Sequence, residues 1–184
     1  MSTTPRPPLT VAVSFLSYLQ RYRHDRGAMA NLRGALSEAR RPKAWPLLGG
    51  FAPAIGNPVY ETVAALWAIT ERRETEAGCL ADTCRALAGT YDAKTGKFEH
   101  DSFQSRFKRL LTCDRDEIAA HIGPVVRAAQ AKGMHINYAQ LLSDLLCWGR
   151  GDEVRVRWAK SFWGAAEADT GINPELLDGA GGQA

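Results

Sequence analysis

The stretch DSFQSRFKRLL at residues 101–111 shows the pattern that decides the fold class. Its large apolar side chains recur at a spacing of three to four residues, which places them on one face of a helix. The same pattern recurs along most of the chain. It predicts further helices over residues 10–26, 28–39, 58–70, 79–87, 114–132, 137–148 and 152–165.

Local signals set the expected ends of these helices. Thr10 is a candidate N-cap for the first helix, and Gly27 is expected to interrupt it. Asn57 followed by Pro58 is typical of a helix start, because proline suits the first helical position. We also expect capping residues at Asp101, Asp114 and Asn137, and a bend at residues 123–124. Residues 89–100 show no alternation and are expected to form a loop, so the predicted fold is all-α.

Proline and glycine mark the predicted organisation of the chain. Residues 42–58 hold four prolines and three glycines, which indicates a long irregular connection between two packed, bundle-like helical lobes. We expect a disordered N-terminus at 1–9, an N-terminal lobe at 10–57 and a C-terminal lobe at 58–164. The acidic, Gly- and Ala-rich segment 165–184 is expected to be a flexible tail. The two lobes can also form one domain.

Charge is distributed unevenly along the chain, which carries +3 overall. Residues 1–60 hold eight basic and two acidic side chains, whereas residues 165–184 hold four acidic and no basic ones. A basic folded body favours polyanionic partners, because neutralising phosphates releases condensed counterions. A basic surface can equally be a solvated one, so charge alone does not decide the function.

Residue patterns typical of membrane, metal or catalytic sites are missing from the sequence. No stretch approaches the roughly 18 to 20 apolar residues of a membrane span, and we expect a cytoplasmic protein. The four cysteines fit neither a disulfide framework nor a usual zinc spacing, so we expect reduced thiols, no metal and no cofactor. No hydrolase, nucleotide-binding or metalloprotease motif occurs, and we expect neither enzyme activity nor a small-molecule substrate.

Two pairs of basic residues are spaced one helical turn apart. Arg106 and Arg109 flank the apolar stripe of residues 101–111, and Arg157 and Lys160 flank that of the last helix. Guanidinium groups donate paired hydrogen bonds to phosphate and stay charged, so the two pairs could line one groove for a nucleic-acid backbone. Alternatively, they are solvated or paired with nearby aspartates such as Asp101, Asp114 and Asp116.

Four segments in the same order resemble the CasB family, the small subunit of the type I-E CRISPR Cascade complex. The resemblance covers about residues 10–164. Residues 27–34 (GAMANLRG) are similar to a family segment in which Gly34 stands in place of an arginine. Residues 103–111 with Asp114 and Arg115 resemble its central helix and turn. LLSDLLCW at 141–148 and VRVRWAKSF at 154–162 strongly resemble its last two helices.

This resemblance implies an all-helical, non-catalytic subunit present in two copies beside other Cascade subunits. It implies contacts with the CRISPR RNA and with the target and displaced DNA strands, which stabilise the R-loop. The site residues it suggests are, first, Arg33, Arg106, Arg115 and Arg150, and then Arg109, Arg157 and Lys160. Gly34 is expected to weaken the grip of the N-terminal lobe on DNA. Trp148, Trp158 and Phe162 are assigned to the core, with base stacking as the alternative.

Two other functions are compatible with the residues. The chain could be a structural spacer that docks other subunits through apolar side chains such as Val156 and Trp163, its charge being incidental. It could also be a helical enzyme whose site is assembled across the fold.

Overall fold

The computed structural model describes residues 8–70, 74–92 and 94–164. These residues form nine α-helices, several 3-10 turns and one short β-hairpin, so the all-α class is confirmed. The helices are α1 (Pro8–Leu19), α2 (Arg26–Arg33), α3 (Trp45–Leu48), α4 (Pro58–Ile69), α5 (Leu80–Ala88), α6 (Asp101–Thr112), α7 (Ile118–Ala131), α8 (Tyr138–Cys147) and α9 (Glu153–Ala159). The acidic tail expected at 165–184 lies outside the described residues. Of the N-terminus expected to be disordered at 1–9, residues 1–7 also lie outside them, whereas Pro8 and Leu9 belong to α1.

The N-terminal helices differ from the expected boundaries because of an unrecognised cap. Helix α1 begins at Pro8, so Thr10 lies in its first turn and the prediction of an N-cap there was wrong. The helix ends at Leu19 rather than at residue 26. The carboxylate of Asp25 accepts a hydrogen bond from the backbone N–H of Ala28 at 2.9 Å and starts α2. Gly27 therefore lies inside the first turn of α2 and does not interrupt a helix.

The irregular connection before α4 is confirmed. It contains 3-10 turns at Gly34–Leu36, Arg41–Lys43 and Ala52–Ala54 around the four-residue helix α3. Helix α4 then begins as expected, with Pro58 at its first position and the side chain of Asn57 accepting from the Val59 N–H at 3.1 Å. Nine of its twelve residues are buried, which makes α4 the central helix against which α2, α7 and α8 pack.

A small hairpin replaces part of the expected loop at residues 89–100. Strands β1 (Tyr91–Asp92) and β2 (Lys97–Phe98) pair antiparallel, and the rings of Tyr91 and Phe98 lie 5.1 Å apart. The Asp92 carboxylate accepts from the Lys94 N–H at 2.9 Å and helps to close the turn. Two-residue strands are too short to show an alternating pattern, which is why the sequence did not predict them.

The caps of the C-terminal helices were predicted correctly at one position of three. The Asn137 side chain accepts from the Gln140 N–H at 2.9 Å and caps α8. Asp101 is instead the first residue of α6, and α7 begins at Ile118, four residues after Asp114. Pro124 lies inside α7, and the bend expected there stays a prediction.

One hydrophobic core contains buried residues from both sides of the predicted lobe boundary, from Ala12 of α1 to Phe162 after α9. Helix α1 packs on α8, and α2 packs on α4. The division into lobes at residues 57 and 58 stays a prediction. In the described part of the chain, no helix is both long and apolar enough to cross a membrane.

The last helix buries one of its two apolar faces. Val154, Trp158 and Phe162 are buried, and Phe162 stacks on Phe107 of α6 with 4.1 Å between ring centres. The other face leaves Val156 48% exposed. After Ala159 the chain continues as a five-residue π-helical turn, Lys160–Gly164.

Candidate nucleic-acid interface

Helix α6 presents two arginines on its solvent side because its apolar residues face the core. Phe107 and Leu110 are buried, whereas Arg106 and Arg109 are exposed. The Arg106 guanidinium lies 5.0 Å from the centre of the half-buried Phe103 ring. This contact holds the stem of Arg106 along the helix and leaves polar N–H groups available to a ligand.

The end of α6 is tied to the turn after α8 and to helix α9 through one backbone carbonyl. The carbonyl oxygen of Cys113 accepts from Trp148 Nε1 at 3.1 Å and from Arg155 Nη2 at 3.1 Å. The Arg155 guanidinium also lies 5.2 Å from the centre of the Trp148 ring. The turn after α6, the turn after α8 and helix α9 therefore meet at Cys113.

This junction brings Arg115 against Gly149, the residue before Arg150. A Cβ atom on Gly149 would lie 3.4 Å from the Cβ of Arg115, so the turn that carries Arg150 passes directly along Arg115. Gly149 has φ +77°, a conformation that suits glycine, and Arg150 follows it. Both arginines are exposed. Arg109 lies one helical turn before Cys113, and its carbonyl accepts from the Cys113 N–H at 3.1 Å.

We call Arg106, Arg109, Arg115 and Arg150 the C-terminal basic cluster. Over the ranges that the structure describes, none of the four forms an ion pair with a carboxylate, although Asp114, Asp116 and Glu117 are exposed nearby on the chain. Their guanidinium groups are therefore available to an anionic ligand. The alternative in which these arginines pair with Asp101, Asp114 or Asp116 is not what the structure shows.

Arg157 has a carboxylate partner that the sequence did not suggest. Its guanidinium is ion-paired with Asp144 of α8, whose side chain is 1% exposed. Asp144 also accepts from Gln140 Nε2 and from Trp158 Nε1, each at 2.6 Å. Burial raises the pKa of the Asp144 carboxyl, and these three donors act against that rise. Arg157 thus holds α9 to α8, while Lys160, its partner in the expected groove, is exposed on the π-helical turn.

Arg33 lies on α2, away from α6 along the chain, and is half-buried against α4. Its Nε donates a hydrogen bond to the carbonyl oxygen of Ala68 at 2.9 Å, in the last turn of α4. A cation suits this place, because the final carbonyls of a helix carry partial negative charge. Gly34 follows, and a Cβ there would lie 3.2 Å from the Cβ of Arg40, so Arg40 occupies the space beside it.

Two features were missed at the level of sequence. Arg155 joins three elements at the junction, but its role depends on the position of Cys113, 42 residues earlier. Trp45 is 37% exposed and follows a run of basic residues. A tryptophan shortly after several basic residues, inside a segment expected to be irregular, was a signal that the sequence did offer.

The described residues contain neither a disulfide nor a cluster of side chains typical of a metal site. All four cysteines are free, with Cys84 and Cys113 buried and Cys79 and Cys147 half-buried. No group of three or more His, Cys, Asp or Glu side chains within the described ranges is arranged to hold a metal ion.

Comparison with known families decides the relationship of the chain. The family described as CRISPR-associated protein Cse2 matches residues 28–163, well over half of the sequence. The chain belongs to the Cse2 family. A Cse2 protein of Thermus thermophilus is 36% identical over 69 residues, which span 37% of this chain and 39% of that relative.

Solved structures agree with this Cse2 assignment. The crystal structure of CasB from Thermus thermophilus is 28% identical and has a TM-score of 0.66, with 83% of this chain and 97% of that one covered. A chain of a CRISPR RNA-guided surveillance complex shares the fold, with a TM-score of 0.69 and 19% identity over 89% of this chain and 97% of that chain. The resemblance to the CasB family is confirmed.

Proposed function

We propose that this Cse2-family chain is a non-catalytic small subunit of a type I-E CRISPR RNA-guided surveillance complex. In this proposal the C-terminal basic cluster contacts the phosphate backbone of the complex's nucleic acid and stabilises the R-loop. The observation that carries it is that four exposed arginines without ion pairs lie on α6 and on two turns that meet at Cys113, within the described part of the chain. Membership of the Cse2 family and the fold shared with a chain of a surveillance complex support it.

Arginines on a rigid junction suit backbone recognition. Each guanidinium can donate two hydrogen bonds to one phosphate, and it carries its charge at every physiological pH. R-loop formation exchanges a DNA duplex for a heteroduplex of similar stability, so a few sequence-independent contacts decide its extent. Contacts of about 1 kcal/mol each at Arg106, Arg109, Arg115 and Arg150 would shift that balance by more than tenfold.

The other three candidate residues take second place in this proposal. Arg157 and Arg33 each hold a structural partner, Asp144 and the Ala68 carbonyl respectively. Half of the Arg157 side chain is exposed, and Lys160 is exposed one turn further on. These two can add to backbone binding beside α8, whereas Arg33 is proposed mainly to position α2 on α4.

Salt-dependent DNA binding by the full chain tests the role of the cluster. We expect the wild type to bind duplex and single-stranded DNA weakly, without sequence preference, and with an affinity that falls as salt rises. Arg109→Gln with Arg115→Gln should weaken binding and reduce the salt slope by about 1 for each phosphate that is no longer neutralised. Lys94→Gln with Lys97→Gln, on the exposed hairpin, removes the same charge elsewhere. Equal slopes for the two double variants would remove the cluster from the site.

The proposed partners are tested by co-purification. The tagged chain is expected to bring down a second copy of itself, the other Cascade subunits and a guide RNA of uniform length. The Arg109→Gln, Arg115→Gln variant should still bring down the normal set of proteins, but its R-loop should dissociate faster. This result would support both membership of the complex and backbone contact by the cluster. Failure to recover a guide RNA would contradict membership of the complex.

A structural spacer is the second candidate function, and the exposed Val156 favours it. Val156 lies in the middle of α9 and is 48% exposed, so a partner subunit that covered it would remove its apolar surface from water. In that case Val156→Asp should impair assembly of the complex, while replacement of the four clustered arginines leaves assembly and R-loop lifetime unchanged. The two experiments together separate the candidates.

A further inference from the structure

Trp45, the first residue of α3, is more exposed to solvent than the other four tryptophans. Its exposed fraction is 37%, whereas Trp67, Trp148 and Trp158 are 2% exposed or less. Trp163 is half-buried against the rings of Phe107 and Phe162. A large ring left open to solvent loses the benefit of burial, so its position calls for an explanation.

The edge of the Trp45 ring is fixed by a buried carboxylate. Trp45 Nε1 donates to Glu61 Oε1 at 2.8 Å, and Glu61 on α4 is 1% exposed. The same oxygen accepts from the Gly56 N–H at 3.0 Å, and Glu61 Oε2 lies 3.3 Å from Arg41 Nε. The hydrogen bond to the buried carboxylate therefore fixes the orientation of the indole, and part of the ring stays exposed to solvent.

Basic side chains immediately precede this ring. Arg40 and Lys43 are exposed, and within the described ranges neither forms an ion pair. Arg41 pairs with Glu61 but keeps 40% of its side chain exposed. Arg41 and Lys43 belong to one 3-10 turn, Arg41–Lys43, which ends two residues before Trp45. Two cations without carboxylate partners in the described ranges and a fixed, open indole thus lie on one short segment.

We propose that Trp45, with Arg40 and Lys43, forms a second nucleic-acid contact at which an unpaired base stacks on the indole. This inference rests on the proposed function and deepens it, because it names a place at which an unpaired base is recognised. The cations hold the phosphates next to the stacked base, and any base can stack because each presents a π-face. A duplex keeps its bases paired and cannot use the ring, so the contact discriminates single from double strands.

Binding of a fluorescently labelled oligothymidine and of a labelled duplex to the full chain, compared by anisotropy at low salt, tests the inference. Trp45→Leu should weaken oligothymidine binding at least about fivefold, with duplex binding nearly unchanged. Trp45→Phe retains a ring and should recover most of the affinity. Ile55→Ala, which trims an exposed apolar side chain of the same segment, should change neither affinity. Thermal melts of all variants confirm that each is folded.

Quenching of tryptophan emission provides a second readout, because an oligothymidine that stacks on the indole should quench it. The quenching should be absent in Trp45→Phe, whose remaining tryptophans are less exposed. Equal oligothymidine affinity for wild type and Trp45→Leu, with DNA binding otherwise intact, would overturn the inference and leave the proposed function standing. Loss of complex assembly in Trp45→Leu without a change in oligothymidine binding would assign the ring to a protein partner instead. No binding of either DNA by the wild type would contradict the proposed function itself.

Discussion

The guanidinium of Arg157 is ion-paired with the carboxylate of Asp144, a side chain that is 1% exposed between α8 and α9. A buried carboxylate is stable only where donors replace its lost water, and Asp144 has three. This arrangement gives an arginine of the last helix a structural role that its position beside an apolar stripe did not suggest.

Asp144→Asn is expected to destabilise the protein, because the new amide places its own N–H groups against three donors. We expect a loss of about 2 kcal/mol in the free energy of unfolding. Arg157→Gln should cost less, about 1 kcal/mol, since the guanidinium is half exposed and screened by solvent. Urea denaturation of both variants gives the comparison. A larger loss for Arg157→Gln than for Asp144→Asn would contradict the assignment of Asp144 as the centre of the group.

The pH dependence of stability should also report on Asp144. Burial raises the pKa of its carboxyl above the ordinary value of 3.8, so the folded state holds the proton more tightly than the unfolded state. The stability due to this group is fully present below pH 3.8 and is lost as pH rises through the folded-state pKa. The wild type should therefore lose stability relative to Asp144→Asn over that range, measured by urea denaturation at a series of pH values. A difference that stays constant with pH would show that the pKa is unshifted.

Arg33→Ala is expected to lower stability without affecting DNA binding strongly. Its Nε donates to the Ala68 carbonyl at the end of α4, and removal of this bond should cost about 1 kcal/mol. The salt slope of DNA binding should stay within error of the wild type. Arg26→Ala, an exposed arginine on the same helix, removes the same charge and should leave the melting temperature nearly unchanged. A reduced salt slope for Arg33→Ala alone would restore it to the binding surface.

Local signals were predictable from the sequence, whereas contacts across the fold were not. Asn57 with Pro58 and Asn137 cap helices through neighbouring backbone groups, so a few residues of sequence contain the whole interaction. Asp25 uses the same chemistry, and it was missed because the apolar pattern of α1 continues almost up to it.

In the candidate site, too, local features were predictable from the sequence and contacts across the fold were not. The exposed faces of Arg106 and Arg109 follow from the apolar stripe of α6, and the family resemblance suggested Arg115 and Arg150. Their meeting at Cys113 depends on packing between segments about 40 residues apart, which periodicity does not contain. The choice of Asp144 as the partner of Arg157 is likewise set by the packing of α9 on α8.

Arg155 should position the C-terminal basic cluster rather than bind nucleic acid itself. Its guanidinium joins the Cys113 carbonyl to the Trp148 ring and leaves 29% of the side chain exposed. Arg155→Ala is expected to cost about 2 kcal/mol in unfolding free energy, because it removes both a charged hydrogen bond and a cation–π interaction. It should also weaken DNA binding, since the turns that carry Arg115 and Arg150 lose a common anchor.

Arg155→Lys separates positioning from direct contact, because it keeps the charge but cannot span the carbonyl and the ring with one planar group. If Arg155 acts by positioning, Arg155→Lys should weaken DNA binding nearly as much as Arg155→Ala, and both variants should lower the salt slope alike, because the cluster arginines leave their phosphates in both. If Arg155 instead contacts phosphate directly, lysine should restore most of the affinity and alanine should lower the slope by about 1. Titrations of the labelled duplex at several salt concentrations distinguish these outcomes, and circular dichroism confirms that helix content is retained.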